Sequence, residues 1–162
     1  MKRSVVAAFV AVSLSFVAIS GFAADFPSHP DARLTPGDVC HNPDTYRYPE
    51  HVAYCSRAVD TDFKKEIIVQ YDRELGFHVG AMSRSLFKID HYIPLCAGGS
   101  NERDNLWPQH VSIYSITDPV EPLICQKMAA GRLKQAQAID IIKRAKANLD
   151  QVPAIIDQLE KM

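Results

Sequence analysis

Three side chains in one short stretch carry groups that could act on a phosphate ester: the adjacent pair Asp90 and His91, and His110. A carboxylate oxygen is a hard ligand suited to Mg²⁺ or Mn²⁺. An unperturbed imidazole titrates near ~6.5, so it can take a proton from water at neutral pH, or it can ligate Zn²⁺, Ni²⁺ or Mn²⁺. Neighbouring residues of a β-strand point to opposite faces. Asp90 and His91 can therefore hold different tasks, one binding a cation and the other moving a proton. A single divalent ion held by Asp90 and His110 alone keeps positions open for water and phosphate oxygens. That set suits phosphodiester hydrolysis, which needs a deprotonated water, charge neutralisation on phosphorus and a stabilised leaving oxygen. On residue types alone, another ester or an amide is also open.

The elements that must position these groups read as strand, turn, strand. Ile89, Tyr92, Ile93 and Leu95 are strand formers or apolar, and Gly98-Gly99-Ser100-Asn101 is a turn cluster. Asn105-Leu106-Trp107 can return as a second strand, with Pro108 expected to stop it because proline has no N–H for the ladder. A helix is expected near residues 110–116, or from Thr117 as its cap with Pro119 in the first turn.

The ordered run Asp90-His91-x-Ile93-Pro94-Leu95, Gly98-Gly99-Ser100-Asn101, Asn105-Leu106-Trp107-Pro108-Gln109 resembles the HNH nucleases and their ββα-metal motif. Tyr46-Arg47-Tyr48-Pro49-Glu50 and Cys125…Gly131-Arg132-Leu133 look similar to pieces of small exported bacterial members. The resemblance implies a mostly helical α+β fold around a hairpin–helix core. It implies His91 as general base and Asn105 as the central amide that braces the loop and orients that base. Asp90 and His110 would be the metal ligands, with Asn101 or water as substitutes for His110. The implied activity is metal-dependent endonuclease cleavage of DNA, or of RNA, with little sequence preference. The implied cofactor is one divalent ion, Mg²⁺ or Mn²⁺ first, Zn²⁺ or Ni²⁺ second. Nothing resembles a base-reading helix. A non-catalytic, disulfide-tied envelope binding module that keeps this fold is the alternative.

The chain begins with the basic Met1-Lys2-Arg3, runs through an almost wholly apolar stretch from Ser4 to Ile19, and reaches Gly21-Phe22-Ala23. This reads as a secretory signal peptide over residues 1–23, so the protein is expected in the periplasm or the medium. No later run is long enough to cross a bilayer, so no stable membrane association is expected after its removal. Residues 24–162 suffice for one domain, and nothing indicates an oligomer. With 18 Lys+Arg against 19 Asp+Glu, two of the cations lying in the leader, the balance is not that of a nucleic-acid coat protein. Contact with a nucleic acid must come from a local patch.

Four cysteines in an exported chain suggest two disulfides. Three connectivities are open. Cys40–Cys55 and Cys96–Cys125 are favoured: the first would staple a loop-rich arm, and the second would tie the motif to the segment after its helix. No Cys-x-x-Cys pair supports a zinc knot. Residues 24–58, interrupted by five prolines after position 25, read as an irregular arm. Its Tyr46, Tyr48 and Tyr54, with Arg47 and Arg57, either pack the arm or meet bases and phosphates. Asp60 or Thr61 can cap a helix from Phe63 to Leu75, closed by Gly76. The motif spans 86–118 and helices fill 126–162, with a stripe of Ala138, Ile142, Ala145 and Leu149 and a turn at Gly131. Pro153 can open a last short helix. Arg132, Lys134, Lys143, Arg144 and Lys146 read as a solvated basic face. Arg84 and Arg132 are the candidates for substrate contact.

Overall fold

A computed structural model describes residues 25–162, so the leader expected over residues 1–23 lies outside the described residues. The fold is α+β and about half helical, with two small antiparallel sheets and two disulfides. The elements are β1 (Thr45–Arg47), β2 (Val52–Tyr54), α1 (Thr61–Leu75), β3 (Phe87–His91), β4 (Leu106–His110), α2 (Val111–Thr117), α3 (Val120–Ala129), α4 (Gln135–Ala147) and α5 (Val152–Glu160). Among the described residues no helix is long and apolar enough to cross a membrane.

Local signals set most element ends. Asp60 caps α1, its side chain accepting from the Phe63 N–H at 2.8 Å, and Gly76 closes the helix at φ 74°. That conformation suits glycine because it lacks Cβ. The basic turn at Gly131 separates α3 from α4, and Pro153 sits in the first turn of α5.

Two packed clusters flank the β3–β4 hairpin. In the first, Ile67, Ile68 and Tyr71 of α1 join Phe87, Ile89, Leu106 and Trp107 of the strands. In the second, α3, α4 and α5 gather Ile124, Met128, Ala138, Ile142 and Leu159 with Ile93 and Ala97 of the hairpin loop. Each such large apolar side chain contributes roughly 1.5–3 kcal/mol by leaving water. The hairpin is therefore packed along its strands by the first cluster and at its loop by the second, the support that a two-stranded ladder needs for stability.

The arm differs from the irregular segment expected. Thr45–Arg47 pairs with Val52–Tyr54 through a turn in which Tyr48 and His51 adopt φ 64° and 57°. Strands of three residues are too short to show a period of two, so the alternation never registered. The rest of the arm is loop, tied down at Thr35, whose hydroxyl bonds the Tyr71 hydroxyl at 2.8 Å and donates to the Leu106 carbonyl at 2.9 Å. Both disulfides have the favoured pairing, Cys40–Cys55 within the arm and Cys96–Cys125 from the hairpin loop to α3.

Pro108 does not stop β4. It faces Ile89 in mid-strand, and the strand runs on to His110. A two-stranded sheet has only edge strands, so a proline nitrogen can face away from the ladder without removing a bond. The helix begins at Val111, immediately after the strand.

Candidate functional site

The turn between β3 and β4 is shaped by one amide. Asn105 is fully buried; its Oδ1 accepts from the Ile93 N–H at 2.8 Å, and its Nδ2 donates to the Ile93 and Ser100 carbonyls, each at 2.9 Å. The loop turns tightly enough that a Cβ at Gly99 would run into the Ile93 carbonyl, and Gly98 sits at φ 83°. Gly98-Gly99 thus lets the chain close, and Asn105 satisfies the backbone groups that the closure strands away from water.

His91, at the end of β3, is 3% exposed. Its Nε2 lies 3.1 Å from Asn101 Oδ1, while Asn101 Nδ2 donates to the Ser56 carbonyl at 2.7 Å. The amide therefore presents its oxygen to the ring, and Nε2 carries the proton. His91 Nδ1 is left as a buried lone pair with no partner among the described residues. Burial pushes the His91 pKa down to about 4, aided by the charge of Arg57 and opposed by Asn101 and Asp90. The ring is neutral at neutral pH.

That shift has a sign in stability. An unfolded histidine titrates near ~6.5, and the folded one near about 4. Between these values the unfolded chain binds the extra proton, so the contribution is complete above the upper value and is lost as pH falls toward the lower. The expected loss is on the order of 3 kcal/mol. Urea midpoints measured across that window should fall with acid for the wild type. They should flatten in His91→Gln; equal slopes would remove the assignment.

Asp90 occupies different surroundings. The register opposes Lys88 to Gln109, Asp90 to Trp107, His91 to Leu106 and Phe87 to His110. Opposed residues share a face, so Lys88, Asp90, Trp107 and Gln109 lie on one side of the hairpin and His91 and His110 on the other. Asp90 is 6% exposed. Its Oδ2 accepts from Lys146 Nζ at 2.6 Å, and its Oδ1 lies 3.2 Å from Lys88 Nζ. Lys146 also donates to Glu121 Oε1 at 2.7 Å and to the His91 carbonyl at 2.6 Å. Lys88 donates to both Asp118 oxygens at 2.7 and 2.8 Å. Burial alone would raise the Asp90 carboxyl; the Lys146 ammonium and then Lys88 outweigh it and hold it below the ordinary range. Burial raises Glu121, and repulsion from Asp90 adds to it against the pull of Lys146.

Lys146 corrects the reading of a solvated basic face: it is 0% exposed. Sequence reasoning also passed over Lys88, Asp118 and Glu121. A signal for Lys146 was present, since it stands four residues beyond Ile142 and so continues the buried stripe Ala138–Ile142 rather than the polar face.

The other nominated residues are not drawn to one place. His110 caps α2, its Nδ1 bonding the Ser112 N–H at 3.2 Å, and its ring stacks on Phe26 at 3.9 Å. An ion shared by Asp90 and His110 does not fit these residues. They face opposite sides of the hairpin, and both Asp90 oxygens already meet ammonium groups. Asn101, the substitute ligand, is engaged by His91 and Ser56. Arg84 donates to the Phe87 carbonyl and lies over the Phe87 ring, and Arg132 donates to the Met162 carbonyl at 2.6 Å. Tyr46 is 60% exposed, Tyr54 lies under the Arg47 guanidinium, and Tyr48 packs against the helical cluster.

Fold and site together define a disulfide-tied α+β domain organised on a β-hairpin–helix unit. In comparison with known proteins, no family, no curated protein and no solved structure matches the chain.

Proposed function

We propose that this protein is an exported HNH-type endonuclease that hydrolyses phosphodiester bonds of DNA, and of RNA as a second substrate, with little sequence preference. The observation that carries the reading is the His91 imidazole, held neutral with Nε2 donating to Asn101 and Nδ1 left as an unpartnered proton acceptor. For Nδ1 to take the proton from the attacking water, the packing over the ring must open to admit it. Exposed Arg57, whose charge is felt at His91, would supply a cation for the phosphate. Asn105 would keep the strand end and loop in register while the base works. A base titrating at about 4 is unprotonated throughout the neutral range. Its intrinsic driving force is correspondingly weak. Asp90 and His110, turned to opposite faces of the hairpin, cannot share a metal ion. Export is supported by the two disulfides and by the basic-apolar-small start of the chain.

Plasmid nicking assayed in Mg²⁺, Mn²⁺, Zn²⁺ and EDTA is the test. The wild type is expected to convert supercoiled to open-circle DNA, and His91→Ala to lose at least about 100-fold, the lower end for removal of a positioned base. Circular dichroism would check that the variant stays folded. A wild type inert in all four buffers overturns the reading. It would favour the binding module, which the sealing of Asp90 in a buried ion network supports.

A further inference from the structure

Asp90, Asp118 and Glu121 each bring one oxygen within 4.8 Å of the others, a spacing at which three hard ligands could close on a divalent ion. Two ammonium groups are threaded through that cluster. Lys146 reaches it from α4, and its three N–H groups meet three acceptors: Asp90 Oδ2 at 2.6 Å, Glu121 Oε1 at 2.7 Å and the His91 carbonyl at 2.6 Å. An ammonium has three donors and no acceptor, so this one is fully satisfied. Lys88 covers the remaining side, on Asp118 and Asp90. Three carboxylates with two ammoniums leave little negative charge to draw in a dication. A divalent ion could enter only by expelling a lysine that has no exposed surface.

We infer that the Lys146 ammonium is the resident cation of this cluster, standing where a divalent metal would otherwise sit, and that it fixes the backbone of His91 through its third hydrogen bond. The folded protein therefore holds no divalent ion at Asp90. Removing the ammonium converts the cluster into a divalent-ion site of three carboxylate oxygens. The claim stands whether or not the protein cuts nucleic acid, since its readout is cation binding rather than cleavage.

Titration of the purified protein with Mn²⁺, read by the electron paramagnetic resonance of the free ion, tests it. The wild type is expected to take up no Mn²⁺ at this cluster and to melt at the same temperature with Mg²⁺ or EDTA. Lys146→Met is expected to bind one Mn²⁺ per chain and to melt higher in its presence. Uptake of one Mn²⁺ by the wild type that Asp90→Asn abolishes would overturn the inference, as would a folded Lys146→Met chain blind to Mn²⁺. Should Lys146→Met fail to fold with or without Mn²⁺, the wild type decides. Its Lys146 ammonium protons, identified by their absence from Lys146→Arg, should exchange slowly with solvent and ignore added Mg²⁺. Exchange as fast as at an exposed lysine, or loss of the signal on adding Mg²⁺, counts against the proposal.

Discussion

An Asn105→Ala chain is expected to lose about 4 kcal/mol of folding free energy, because three buried backbone groups would lose their partner at ~1–3 kcal/mol each. The side chain bridges the Ile93 N–H and the Ile93 and Ser100 carbonyls. Gly98 and Gly99 hold these groups away from water, so no solvent replaces the amide without opening the turn. The Cys96–Cys125 link restrains the loop from the other side but offers no hydrogen bonds. Urea denaturation would measure the loss as a lower midpoint at unchanged slope. Amide exchange at Ile93 should rise more than exchange in α5. A loss under about 1 kcal/mol would mean the loop is held by packing alone.

Asp90→Asn is expected to cost about 3–5 kcal/mol, the range for breaking a buried ion pair by removing one partner. The amide keeps the shape but leaves Lys146 with one carboxylate, Glu121, and leaves Lys88 with Asp118. A double-mutant cycle separates pairing from packing. Asp90→Asn/Lys146→Met should lose less than the sum of the single changes, with a coupling of at least about 1 kcal/mol. Additive losses would show that the two groups do not share their charge. The pH dependence gives a second check, of the same sign as His91 but in a lower window. A carboxyl held below its ordinary range contributes fully above the unfolded value near ~3.9 and loses that contribution as pH falls through the folded value. The acid losses from Asp90 and His91 should therefore appear in succession, His91 first.

The two cation questions are separable. Nicking that survives EDTA would agree with both the His91 base and the Lys146 cation. Nicking that needs a metal would place that ion elsewhere than between Asp90 and His110, since the hairpin turns those side chains apart.

Short-range chemistry was legible in the sequence. The cap at Asp60, the stop at Gly76, the hairpin with its Gly98-Gly99 turn, and the split at Gly131 each depend on residues within a few positions of one another. Of the three connectivities that four cysteines leave open, the favoured one is the one the structure holds. Tertiary structure alone decided what surrounds Asp90. Lys146 lies 56 residues away and Glu121 on a third element; the helical stripe through Ile142 turns Lys146 inward, but nothing local says that it meets a carboxylate of β3. Register decided the rest: with β4 pairing Trp107 to Asp90 and His110 to Phe87, a side-chain period of two sends the nominated ligands to opposite faces. Residue types and spacing identify which groups can act on protons and cations; only the packed hairpin determines which of them meet.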